Sequence, residues 1–455
     1  MFLKEIQEAN GSCNNLKNPL WGSSETLYIR LSEAAYNDGN YGVRKQSNGS
    51  LLPIPRKVQF QFGQWITHNI TILTPDSSGL EKYPYQCQLP IELPTDDPVF
   101  GRHGRKCMEF RRAMTAANNF NCSITPQIPV IVRTRIGQGK FNQSFNGGRL
   151  ITDVINKNEY CPLRKKSGSL LCDGRDNVGV CFEAGDPRIN QHFGITSYSI
   201  VFTRFHNVVA DMLHQLNLRW SDEVLYQEAR KFVSALYQII IYRDYLPILL
   251  VPHNTIVSFY NYVDKDYEIV DSVKLNEWMS IPVPLVEGSN LDEIISNFMF
   301  HNIIPGDQDL LSVEIQGGRD CGLPEIYSFE DLSYVKKLKE LYTTVYDIDL
   351  LVGALLEPPV NGGTVGPTAQ CILADVFYRI RYGDGFFFDV RGQPGSCSLA
   401  QLKTLRNMDL GHVICATTDL DEVPSNIFDP LSYSQMVTCQ NHLLSLDLSV
   451  WRESP

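Results

Sequence analysis

The stretch DEVLYQEARKFVSALYQIIIYRDYLPILL, residues 222–250, decides how the chain is read. Leu225, Ala229, Phe232, Val233, Leu236 and Ile240 recur at three and four, the spacing that lines one face of an α-helix. Ser221 stands directly before it, where a hydroxyl can cap the first free backbone amides. Just upstream, ITSYSIVFTRFHNVVADMLHQL (195–216) carries the same period, so two long core helices follow one another.

Outward from this pair the pattern stays helical. VQFQFGQWITHNITIL (58–73) places Phe62, Trp65, Ile66 and Ile70 on one face and is stopped by Pro75, so a short buried helix is expected. Further helices are expected over 329–346 and over 366–382, the latter with Pro367 in its first turn. Residues 76–190 are rich in Cys, Gly and Pro with little periodicity, and read as loops stapled by disulfides over a core built elsewhere. The expected class is mainly α. No repeat or low-complexity linker divides the 455 residues, so one large domain over 1–455 is the default.

Composition limits the partners. Forty Lys and Arg against 51 Asp and Glu leave a net charge of -11, the wrong sign for gripping nucleic acid. The longest apolar candidate, near residues 232–251, is broken by Arg243 and Asp244, so no membrane span is expected. Twelve Cys without a CxxC pair and N-x-S/T sequons at Asn10, Asn48, Asn69, Asn121 and Asn142 point to a secreted, extracellular chain. The opening MFLKEIQEANGSCNN has no apolar core of a signal peptide, and the expectation is that an N-terminal segment is missing.

Two polar knots interrupt this apolar text. Gln64 and His68 lie four apart on the short helix and share a face. AGDPRINQH (184–192) places Arg188 just before the first long helix. By spacing alone the first is a satisfied core histidine with a glutamine neighbour, and the second a helix entry with a surface or capping charge.

The ensemble changes that balance. FGQWITH (62–68), FEAGDPR (182–188), LYQEARKFVSALYQIIIYRDYLP (225–247), GGTVGPTAQCILADVFYRIRYGDGFF (362–387) and LSVWRES (448–454) occur in this order and resemble the animal-type haem peroxidases, closest to the peroxinectin and chorion peroxidase branch. The resemblance implies a large, mainly helical single-domain fold holding haem b, with Gln64 and His68 above the iron and Arg188 beside them. It implies hydrogen peroxide as oxidant and phenolic, tyrosine-like or halide donors, in oxidative stress, matrix cross-linking or defence. His68 would shuttle a proton between the peroxide oxygens, Arg188 would stabilise developing charge, and Gln64 would hold a water or halide.

The sequence departs from the family at several positions. Thr67, Gln191 and His192 stand where relatives carry an aspartate, a glutamate and, in one branch, a methionine bonded to haem, so the haem is expected to be non-covalent. Asn69 replaces an aspartate of the family's calcium site and the companion loop is not recognisable, which weakens the case for calcium. An RxGH-type proximal histidine is expected shortly after YRDYLP, yet NYVDKDYEIVDSVKLNEWM (261–279) runs across that place. The proximal segment is therefore read as absent near 264–265, and no axial iron ligand is assigned. IQGGRDCGLPEIYS (315–328) reads as two motifs joined at Asp320 and Cys321, with Glu314 and Gly317 where an asparagine and an arginine are usual. Further joins fall before Phe60 and after Val130, as a splice variant or an imperfect gene model produces. A second reading follows: a catalytically impaired extracellular binding protein that keeps the scaffold without the proximal ligand. The resemblance also suggests disulfides Cys172–Cys181, Cys321–Cys371, Cys415–Cys439 and Cys87–Cys107.

Overall fold

The computed structural model describes residues 14–15, 57–70, 91–97, 100, 106–108, 147–150, 153–155, 158–160, 163–164, 182–183, 187–191, 193–250, 309–320, 338–339, 342, 347–360, 363–392, 395–428 and 435–453. Its elements are α1 (Lys57–Ile70), α2 (Phe193–Leu216), α3 (Asp222–Ile239), α4 (Leu246–Leu249), α5 (Leu310–Asp320), α6 (Leu350–Leu356), α7 (Pro367–Gly383), α8 (Leu399–Arg406), α9 (Leu410–Cys415) and α10 (Cys439–Ser445). Among the described residues strands occur as short antiparallel ladders: Ile91–Glu92 with Cys107–Met108, Asp153–Ile155 with Asn158–Tyr160, Leu163–Arg164 with Phe182–Glu183, and Glu422–Pro424 with Met436–Thr438. The mainly helical class expected from the sequence is the class observed. The helix expected over 329–346 lies largely outside the described residues.

Helix α3 forms where its pattern places it. Ser221 Oγ accepts from the Val224 amide at 3.4 Å, and Asp222 and Glu223 sit in the first turn, where the helix dipole favours negative charge. Leu225, Ala229, Phe232, Val233, Leu236 and Ile240 are all buried against α2, whose own stripe is Ile195, Phe202, Phe205, Val209 and Leu213. Removing that much apolar surface from water is the dominant stabilising term.

The periodic stretch is not one uninterrupted α-helix. Ile240–Tyr245 is a π-helical turn between α3 and α4. The wider turn lets consecutive residues reach different neighbours: Tyr242 Oη donates to the Phe377 carbonyl of α7 at 2.7 Å, and Arg243 donates to the carbonyls of Arg406 and Met408 at 2.6 and 2.8 Å. It also lets the adjacent Arg243 and Asp244 pair through two hydrogen bonds, at 2.6 and 2.7 Å, which neighbouring side chains on an α-helix do not do.

The ends of the chain text are pinned the same way. Asn217, just past α2, donates to the Trp451 carbonyl and accepts from the Glu453 amide, while Trp451 packs edge-on against Phe232 at 5.1 Å. This holds LSVWRES to the central helix pair. Gly366 precedes α7 because a Cβ there would lie 2.3 Å from Glu357, whose carboxylate caps the helix through the Thr368 amide and hydroxyl.

His206, fully buried on α2, is pulled down from 6.5 to about 4 by burial, with Asn207 and the Tyr226 backbone opposing the shift and the positive charges of Arg230 and Arg149 adding to it. Its native state is therefore neutral, and the unfolded chain binds the proton more readily. The sign follows: this contribution is present above about pH 6.5 and is lost as pH falls towards 4, amounting to about 3 kcal/mol once both states are protonated. Urea midpoints measured between pH 7 and 4 are expected to fall, and His206→Leu is expected to flatten the slope; equal slopes in both proteins would refute the assignment.

Candidate functional site

Helix α1 is held by aromatic packing on one side. Phe62 meets Tyr198, Tyr237, Tyr245 and Phe428, while Trp65 stacks on Phe202 with centroids 4.5 Å apart. Gly63 is required by a close approach, since a Cβ there would lie 2.5 Å from the Tyr245 hydroxyl. The π turn and α1 thus fix each other, and with them the register of the next two turns.

Those turns carry the predicted residues. Gln64 is half-buried and His68 buried, one helical turn apart. Arg188 sits on a 3-10 turn, Pro187–Asn190, that leads into α2, and its Nη2 donates to the His68 carbonyl at 2.9 Å. The structure therefore brings together Arg188 and His68 across 120 positions of sequence. The bond also places a cation at the negative end of α1, a helix other than the one Arg188 precedes in sequence.

Gln191 is buried beside this turn with its Oε1 unpartnered. Thr67 is exposed, its hydroxyl donating back to the Gly63 carbonyl at 3.0 Å. His192 lies outside the described residues. Asn69 is buried and its Nδ2 donates to the Tyr237 hydroxyl at 2.8 Å, a setting with no room for a glycan. Tyr237 is a partner that no local spacing announces, 168 residues away.

Helix α5 carries the two further positions singled out by sequence, Glu314 and Gly317. Arg319 makes two hydrogen bonds to Asp349, at 2.7 and 2.8 Å, and the Tyr342 hydroxyl adds a third to the same carboxylate. This anchors α5 to α6. Glu314 and Gly317, three apart and on one face, look into open space: Glu314 is accessible, and a Cβ at Gly317 would meet nothing within 4 Å. Yet the Glu314 carboxyl is pushed up by the surrounding protein, opposed by the positive charge of Arg188. The Arg188 guanidinium is thus within electrostatic reach of the Glu314 carboxyl.

The cysteines divide. Cys415 and Cys439 are joined, 24 residues apart, as the resemblance implied. Cys107 is in a disulfide; Cys87, Cys172, Cys181 and Cys321 lie outside the described residues. The expected Cys321–Cys371 bridge is corrected: Cys371 carries a free thiol on the exposed face of α7, and helical phase turns it away from the core. Cys397 is free as well.

The chain belongs to the animal haem peroxidase family, whose model matches residues 6–61, 59–280 and 275–428. It is 27% identical to a protein named Peroxidase from Drosophila melanogaster over 569 residues, covering 97% of this chain and 82% of the relative. It is also 27% identical to Chorion peroxidase of the same organism, covering 97% and 70%. Peroxidase A from Dictyostelium discoideum shares the fold, with a TM-score of 0.67 at 20% identity, over 94% of this chain and all of that one. The alignment with the fly Peroxidase is longer than the 455-residue chain, so that relative carries internal segments this chain lacks. One break between the matched pieces, at 59–61, coincides with the join expected before Phe60.

The family implies haem, and the described residues fit it on one face. Arg188, His68 and Gln64 supply a cation, a proton acceptor and an amide, and Gln191 an unpartnered buried oxygen. The segment 251–308, where relatives place the proximal histidine, lies outside the described residues.

Proposed function

We propose that this family member is an extracellular peroxidase that uses hydrogen peroxide to oxidise phenolic or tyrosine-like donors, with halide as a further donor. The observation that carries it is the Arg188–His68 contact, in which a guanidinium bound to the His68 carbonyl sets a fixed cation beside a buried histidine. Secretion is supported by the Cys415–Cys439 disulfide and the engaged Cys107, which fit an oxidising compartment. Among the described residues no helix is long and apolar enough to cross a membrane.

Haem b, if bound non-covalently, would be held beside Gln64, His68 and Arg188 and would supply the redox chemistry that uses the two oxidising equivalents of each peroxide. His68 accepts a proton on an imidazole nitrogen from one peroxide oxygen and returns it to the other as the O–O bond breaks, so water can leave. Arg188, permanently charged and oriented by its bond to the His68 carbonyl, stabilises negative charge on the departing oxygen. Gln64 and the free Oε1 of Gln191 orient water at the same edge. Two donors, each losing one electron and one proton, complete the balance of two waters per peroxide.

A specific observation keeps the second reading in play: Glu314 and Gly317 occupy the α5 face where relatives support the proximal ligand, and a desolvated carboxyl is a poor substitute for an amide. The two readings separate on one spectrum. The purified chain, supplied with haem, is expected to show a Soret band that shifts on adding peroxide and to oxidise a phenol. A folded chain that stays colourless would overturn the peroxidase reading and leave a binding scaffold.

A further inference from the structure

Helices α9 and α10 face each other across the Cys415–Cys439 disulfide, remote in sequence from Gln64, His68 and Arg188. Between them Asp409, His412 and His442 converge. Asp409 Oδ1 lies 2.8 Å from His412 Nδ1 and 3.7 Å from His442 Nδ1, and the two Nδ1 atoms are 3.2 Å apart. Both imidazoles are buried, and the carboxylate side chain is one-third accessible.

We propose that Asp409, His412 and His442 form a site for a divalent transition-metal ion of the zinc class, with solvent completing the coordination on the Asp409 side. The triangle has the right size. A point equidistant from its corners lies about 1.9 Å from each, so an ion slightly out of plane reaches all three at the 2.0–2.2 Å of zinc–nitrogen and zinc–oxygen bonds.

The hydrogen bonds around the triangle leave lone pairs pointing inward. The Ser445 hydroxyl donates to the His442 carbonyl at 2.8 Å, so its oxygen accepts from His412 Nε2–H at 2.9 Å. The Asp409 amide donates to His412 Nδ1 at 3.1 Å, which agrees with the same tautomer. A bare His412 Nδ1 then faces a carboxylate oxygen and a second Nδ1, a set of three donor atoms that a cation, or a proton in its absence, bridges. A ligand histidine whose other nitrogen is fixed by a hydroxyl is the arrangement that holds metal-binding imidazoles in place.

Two further features fit. A Cβ at residue 411 would come within 2.8–2.9 Å of His442 and of Asp409 Oδ1, so Gly411 leaves the space in which they meet. The disulfide fixes the two helices that carry His412 and His442, so the histidines are set in place before an ion arrives. Asp409 and His412 also form a capping box at the start of α9; a third ligand from α10 is more than a cap requires.

Zinc titrated into the haem-free, disulfide-intact full chain at neutral pH is expected to bind one equivalent at this site, and cobalt(II) to give the visible absorption of a four-coordinate nitrogen–oxygen centre. His442→Gln is expected to weaken zinc by about 100-fold or more, and Ser445→Ala, which removes only the acceptor of His412 Nε2–H, by about 10- to 100-fold. His214→Gln, an exposed histidine on α2, is expected to change nothing. Zinc uptake by the wild type that survives both Ser445→Ala and His442→Gln would place the ion elsewhere and overturn the proposal. So would no uptake at all, in which case Asp409 and His412 share a proton instead.

Discussion

Replacing His68 with alanine is expected to slow the reaction of the haem-loaded chain with hydrogen peroxide by about 10²–10⁴-fold, the usual worth of a positioned acid–base group. The residue is buried on α1 but takes no part in the ring contacts that Phe62 and Trp65 make with Phe428 and Phe202, so the change leaves the aromatic clamp intact. The Soret band is therefore expected to persist while the peroxide-induced shift becomes slow. Arg188→Ala is expected to act by a different route. It removes the charge and also the bond to the His68 carbonyl, a charged hydrogen bond worth about 1.5–3 kcal/mol, so a loss of stability accompanies the loss of rate. Arg188→Lys separates the two, because lysine keeps a charge but not the planar fork. Stopped-flow rates over a pH series read both effects. A His68→Ala protein that meets peroxide at the wild-type rate would remove His68 from the mechanism.

The helices were legible because their apolar positions recur at three and four: Leu225 through Ile240 and Ile195 through Leu213 are buried where the period puts them, and Ser221 caps α3. The π turn at Ile240–Tyr245 was not, since one inserted residue leaves the apolar count of a short window nearly unchanged. Contacts between distant residues have no period at all. Arg188 and His68 were brought together by resemblance, not by spacing; Tyr237 beside Asn69 and Glu314 within reach of the Arg188 field emerged only from the packing of α1, α3 and α5. The Cys371 pairing failed because family position was followed where helical phase matters: the residue lies on the outer side of α7. His412 and His442 had no signal in the sequence, because two histidines 30 residues apart on two short helices carry no local spacing signature.

The largest loss of stability is expected from Asp389→Ala, at about 3–5 kcal/mol. Arg381, near the end of α7, is 4% exposed and Asp389 3%, and they meet at 2.7 Å. The Arg381 guanidinium lies 4.0 Å from the centre of the Phe387 ring, so one face is already against an aromatic surface and cannot turn to water. Burial pushes the Asp389 carboxyl up while Arg381 pulls it back, which keeps the pair mutually dependent. Arginine does not neutralise itself by losing a proton, so deleting the carboxylate strands a buried charge. The damage reaches the π turn, because Phe387 packs edge-on against Tyr242, whose hydroxyl holds the Phe377 carbonyl. The double variant Asp389→Leu with Arg381→Met is expected to recover most of the loss, since an apolar pair of similar volume carries no desolvation cost. Urea denaturation of the three proteins decides it: a single variant within about 1 kcal/mol of wild type would show that water reaches Arg381, and that the pair contributes as little as a surface bridge does.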